Sequence, residues 1–147
     1  MVRAAQSRDA LVGLVAQALE TVPEVAAAYV YGSVARGTAT SLSDVDVAVL
    51  LVDVVASERR ARLIRSLTTL LERSCPGRRF EVRLFDELPI AIRGRIVSEG
   101  VLVVDRNHEF RVNVEVRTRM DYFDFLVFER TGTRAGLKGL REVFESG

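Results

Sequence analysis

Apolar positions recur along the chain with two different periods. Leu11, Val12, Leu14, Val15, Ala18 and Leu19 fall at helical spacing. Ser7 ahead of them is the expected N-cap, and Pro23 closes the segment. Val25 to Tyr31 is a short apolar run between turn signals, which predicts a buried strand. Gly32-Ser33 follows directly, and residues 37–43 are small and polar, so they read as a loop. Residues 44–52 alternate and then turn wholly apolar, predicting a second strand. Ser57 is the expected cap of a helix over 58–74, whose stripe is Leu63, Ile64, Leu67, Leu70 and Leu71. Residues 79–85 predict a third strand with Phe80, Val82 and Leu84 on one face. Pro89 sits at a first helical position, before Ile90, Ile92, Ile96 and Val97. Gly100 ends that helix, and residues 101–104 predict a fourth strand.

The last third carries two signals. Phe110, Val112, Val114 and Val116 alternate with polar residues, as in a strand. Residues 105–131 nevertheless run without Gly or Pro, and that length favours a helix. The expectation is therefore one α+β domain over residues 1–147: a small mixed sheet with helices mainly on one face, and a tail from Gly132 that frays. No repeat, low-complexity tract or linker divides it.

Composition narrows the function classes. Hydrophobic residues are 48% of the 147, enough for a core and slightly apolar for a lone domain. Surplus apolar surface would suit a partner. A net charge of +1 gives no general argument for nucleic-acid binding. The run Glu58-Arg59-Arg60-Ala61-Arg62 reads as a solvated helix face. One cysteine, Cys75, excludes an intrachain disulfide and a structural zinc cluster. Nothing places it beside the one histidine, His108, as a catalytic pair; Cys75 before Pro76-Gly77 reads as a helix end. Neither a signal peptide nor a membrane span is legible, so the cytoplasm is the default expectation.

The chemistry concentrates in Gly32-Ser33-Val34-Ala35-Arg36-Gly37 and Ser43-Asp44-Val45-Asp46-Val47. Strand residues two apart share a face. Asp44 and Asp46 therefore lie side by side, with Cα atoms about 7 Å apart. Two such carboxylates repel and resist desolvation. A divalent cation relieves both costs, and hard oxygen donors suit magnesium. Glycine lets the backbone approach a ligand, and the exposed amides and Ser33 hydroxyl can donate to phosphate oxygens. Together the segments describe a phosphoryl-transfer site.

Gly32-Ser33, ten residues, then Asp44-x-Asp46 resembles the signature of the DNA polymerase beta-like nucleotidyltransferases. The inner Ala35-Arg36-Gly37 and Ser43 make the chain look like the minimal nucleotidyltransferases of prokaryotes. These are the antitoxin halves of HEPN/MNT toxin–antitoxin pairs, MntA where the toxin is HepT. The likeness extends to Phe80-Glu81-Val82-Arg83-Leu84, the Pro89 helix and Tyr122-Phe123-Asp124-Phe125. It implies Asp44 and Asp46 as metal ligands, and Gly32 and Ser33 as the phosphate-gripping turn. It implies a third acid on the third strand, where Glu81 stands in place of the family's usual Asp. Glu81 could equally be a strand-edge carboxylate paired with Arg79 or Arg83. Arg36 either touches a phosphate or ties the loop to Asp44 or to a carbonyl. Asp53, Asp86 and Glu87 read as loop or surface groups.

The resemblance implies magnesium-dependent transfer of AMP from ATP to a tyrosine of a cognate HEPN ribonuclease toxin, which silences it, with no direct nucleic-acid ligand, no membrane, and an assembly with the toxin. One alternative is a weak or inert nucleotidyltransferase fold that neutralises the toxin by occlusion. Transfer to a small molecule such as an aminoglycoside is a third reading, disfavoured because no second domain builds an acceptor pocket. The chain lacks the Arg-to-His spacing of a HEPN ribonuclease site, since Arg106 is too near His108. It is therefore not read as the toxin.

Overall fold

The computed structural model describes residues 7–52 and 56–132. Helix α1 (Arg8–Glu20) opens on Ser7, whose hydroxyl accepts from the Ala10 amide at 3.2 Å. Leu11, Val15 and Leu19 fall on its buried side. Strand β1 (Val25–Tyr31) follows, almost wholly buried because it is flanked by strands and covered on both faces. The short helix α2 (Gly32–Arg36) leads through the polar loop into β2 (Val45–Leu51). Helix α3 (Ser57–Ser74) crosses back to β3 (Phe80–Leu84), which makes β2 and β3 parallel. A 3-10 turn (Phe85–Glu87), α4 (Ile90–Glu99), β4 (Val101–Asp105) and α5 (His108–Thr131) complete the order.

The sheet runs β3-β2-β1-β4, with β1 antiparallel to both neighbours. Alternation along the strands divides the core. Val30, Val45, Val47, Val49 and Val82 meet α1 and α3 through Val15, Leu19, Leu67 and Leu71. Ala27, Tyr29, Ala48 and Leu50 face the other way, towards Phe85, Leu88 and Ile96. Helices thus cover both faces, rather than mainly one as the sequence pattern suggested. The cover of the second face comes from far along the chain, through Phe85, Leu88 and Ile96.

Two local expectations shift. Ser57 is the first helical residue of α3, and Ala56 holds the cap position without a side-chain bond. Pro89 is itself the cap residue of α4, one position before the helix. The contest over residues 110–117 resolves as helix. Asn107 caps α5 by accepting from the Phe110 amide at 3.2 Å, and Gly132 ends it with φ 69°. The apparent strand alternation there leaves Val116 half exposed. Cys75 is buried at the end of α3, whereas His108 is exposed and bonds Asp105.

α5 stands on α4. Tyr122 lies so close to Gly94 that a Cβ there would collide with its ring. The Tyr29 hydroxyl donates to Glu115 at 2.7 Å and joins α5 to the sheet. Arg111 Nη1 donates to the same carboxylate at 2.9 Å, and its Nη2 to Asp105 at 3.1 Å. Further along, Met120, Phe123, Leu126 and Phe128 remain exposed, so the aromatic cluster divides between packing and open surface.

Candidate active site

The site forms where β1 ends and where β2 and β3 begin. Tyr31 pairs with Asp46 across the antiparallel ladder, and Asp46 pairs with Glu81 across the parallel one. Alternation puts the three side chains on the sheet face opposite Val45, Val47 and Val82. Gly32 then turns the chain with φ 71°, a conformation that L side chains rarely adopt. A Cβ there would also overlap the Asp46 carboxylate. The two sequence motifs therefore touch: the acid lies on the glycine backbone.

Ser33 is held by its carbonyl, which accepts from the Thr38 amide at 3.0 Å. Its hydroxyl has no hydrogen-bond partner among the described residues. Ser43 locks the following loop. Its hydroxyl accepts from the Thr40 amide at 2.9 Å, and its amide donates to the Thr40 carbonyl at 3.1 Å. This turn delivers Asp44, exposed, one residue before β2.

The electrostatics are those of crowded acids. Burial, then Glu81, then Asp44 push the Asp46 carboxyl up to about 6, with Arg83 opposing. Tyr31 is pushed up to about 12 by burial first and by Asp46 second. Glu81 is not free: Arg83 donates to its Oε1 through Nε at 3.0 Å and also through Nη2. Glu81 therefore faces Asp46 and pairs with Arg83 rather than Arg79.

Among the described residues, no three such side chains already stand as a metal cage. The donor set still fits a divalent cation, because hard oxygens crowd around Asp46 and a single guanidinium offsets them. Asp44 and Asp46 are the residues that would hold it, with Glu81 in reach of the same face.

Arg36 is exposed at the end of α2 and forms neither of the bracing bonds weighed above among the described residues. Asp86 and Glu87 lie at the surface of the 3-10 turn, and Glu87 pairs with Arg60 at 3.0 Å. Asp53 lies outside the described residues. Tyr31 and Arg83 join the site beyond the residues that the sequence motifs mark. The available signal was that Tyr31 immediately precedes the glycine turn, so its ring must lie beside whatever that turn approaches.

The family model for "Polymerase beta, Nucleotidyltransferase" matches residues 15–109. Among solved structures, a chain of a toxin–antitoxin complex with AMP-PNP is 20% identical, with a TM-score of 0.60 over 82% of this chain and 93% of that one. A chain of the MntA–HepT toxin–antitoxin complex is 18% identical, with a TM-score of 0.56 over 84% and 93%. A chain of a Shewanella oneidensis complex, a tri-AMPylated HEPN toxin with its MNT antitoxin, is 17% identical, with a TM-score of 0.57 over 85% and 93%. No curated protein sequence matches the chain. At these identities the likeness to the solved structures is one of fold. The matched span holds every strand, the glycine turn and all three acids, and the chain belongs to the polymerase beta nucleotidyltransferase family.

Proposed function

We propose that the protein transfers AMP from ATP to a tyrosine hydroxyl of a HEPN ribonuclease toxin and thereby neutralises it. The observation that carries the reading is the seating of the Asp46 carboxylate on Gly32, with Asp44 and Glu81 beside it. It puts the residues suited to phosphate and those suited to metal within one contact of each other. The AMP-PNP complex and the tri-AMPylated toxin among proteins of this fold support the nucleotide and the acceptor.

Asp44 and Asp46 would hold magnesium, which when bound offsets charge on the phosphates and on the leaving pyrophosphate. Gly32 and Ser33 orient the triphosphate through backbone amides and the unpartnered hydroxyl. Arg36 offers an exposed cation from the same turn. The acceptor oxygen bonds to the α-phosphorus, the bond from that phosphorus to the bridging oxygen breaks, and pyrophosphate departs. Glu81 takes the acceptor proton. Arg83 holds Glu81 on the reacting face, and Tyr31 excludes water behind Asp46.

The pairing of Glu81 with Arg83 favours one second reading, an antitoxin that binds and occludes without transfer. Incubating the chain with ATP, magnesium and the HEPN protein encoded beside it separates the two. Intact-mass spectrometry should show AMP increments on the toxin, absent with the Asp44→Asn/Asp46→Asn variant. Growth rescue by that variant without a mass shift would instead establish occlusion.

A further inference from the structure

A cleft separates the first half of α5 from the far ends of β2 and β3. It lies where α5 rests on α4 through Tyr122 and reaches the sheet through Glu115, and Val114 of α5 and Leu50 of β2 both line it. The cleft encloses about 510 Å³, within the range of small-molecule sites. Leu50 and Phe85 form its apolar floor, and Phe110 stands at its mouth.

Three guanidiniums from three helices converge on it: Arg60 of α3, Arg93 of α4 and Arg117 of α5. Asp86 is the one acid among the described lining residues. Arg60 bonds Glu87, yet its Nε is buried without a partner among the described residues. Arg93 uses its Nε on the Leu88 carbonyl at 2.9 Å, which leaves its terminal nitrogens open. Arg117 makes no hydrogen bond or ion pair among the described residues. Apolar walls rimmed by excess positive charge select for an amphipathic anion, and planar guanidiniums grip carboxylate or phosphate in pairs.

The cleft is distinct from the acid site. Leu50 lies four residues along β2 from Asp46, about 13 Å away. We propose that this cleft binds a small organic anion with a flat apolar body. The body lies on Leu50, Phe85 and Phe110, and the anionic group meets Arg93 and Arg117. Nucleoside monophosphates and aromatic carboxylates share this chemistry. The inference stands whether or not the protein transfers AMP to a toxin.

The chain contains no tryptophan, so Phe110→Trp places a single fluorescent reporter on the cleft wall. The full-length variant is titrated in EDTA with AMP, with 3-phenylpropanoate and with inorganic phosphate. A saturable change below about 1 mM is expected for at least one organic anion and not for phosphate. A response to AMP identifies a nucleotide site; a response to phenylpropanoate alone identifies a carboxylate site. Adding Arg117→Ala should weaken binding about tenfold at unchanged melting temperature, because that side chain is exposed. Arg117→Lys should restore part of the loss. Asp44→Asn/Asp46→Asn should leave the affinity unchanged, which separates this cleft from the catalytic end. Thermal shift of the unsubstituted chain with the same anions checks that the reporter has not altered the site. Silence towards both organic anions in both assays, or binding indifferent to Arg117→Ala, overturns the proposal.

Discussion

The carboxylate of Asp46 lies against the backbone of Gly32, in the space that a Cβ at Gly32 would fill. The two residues are fourteen positions apart, and the pairing of Tyr31 with Asp46 brings them together. One contact therefore couples the turn proposed to approach phosphate to the acid proposed to approach metal.

Gly32→Ala tests that coupling. The substitution meets both a positive φ and the Asp46 carboxylate. It should cost about 1–3 kcal/mol of stability and lower the melting temperature by several degrees. Nucleotide transfer should fall far more than stability does, because Asp46 must move away. Gly13→Ala is the control, since nothing lies within 4 Å of its added methyl, and it should leave transfer unchanged. Equal transfer by both variants would disprove the coupling.

Asp46 predicts a pH dependence of stability. Its folded-state value is raised from 3.8 to about 6, so the folded chain holds this proton more tightly than the unfolded chain. The group's stabilising contribution is present below the unfolded value and is lost as pH rises through the folded one. Without metal, the melting temperature should decline between about pH 4 and pH 6 from this group. Asp46→Asn should flatten that decline and melt higher than the parent at pH 7. Magnesium should stabilise the parent more at pH 7 than at pH 5, where protons compete for the same oxygens. A flat profile in the parent, measured by calorimetry, would show Asp46 to be better solvated and less crowded by Glu81 and Asp44 than this arrangement requires.

Glu81 and Arg83 predict a split between binding and turnover. Glu81→Gln should reduce transfer about a hundredfold or more, with a smaller effect on ATP binding. Glu81→Asp should retain or improve transfer, since Asp is the usual residue of the family at this position. Arg83→Ala should leave the fold intact, because the pair is largely exposed, and should lower the turnover rate through a wandering Glu81. Quenched-flow rates beside calorimetric affinities decide this. Wild-type turnover in Glu81→Gln would move the proton acceptor elsewhere.

Gly94→Ala should loosen α5. The added methyl has no room against the Tyr122 ring, and that ring cannot retreat without lifting the helix. A destabilisation of about 1–3 kcal/mol is expected, typical of overpacking. Tyr122→Ala in the same background should recover part of it, because the obstacle is gone. Strictly additive losses in the double variant would mean that the two residues do not meet.

The residues alone determined the element order and the existence of the acid site. Uninterrupted apolar runs announced β1 and β2, because strands covered on both faces need no polar side. The strand period predicts Asp44 and Asp46 on one face, although Asp44 stands one residue before β2, and the glycine turn announced close approach. Other features depended on partners remote in sequence. Asn107 and the packing of Tyr122 on Gly94 settled α5 as a helix, against a local alternation that read as strand. What covers the second face was illegible, because Phe85 and Ile96, which bury Ala27 and Ala48, lie far along the chain. The same holds for Tyr31, Arg83 and the arginine-rimmed cleft. Periodicity fixes which way a side chain points, but only the pairing of strands and the stance of α5 decide what it points at.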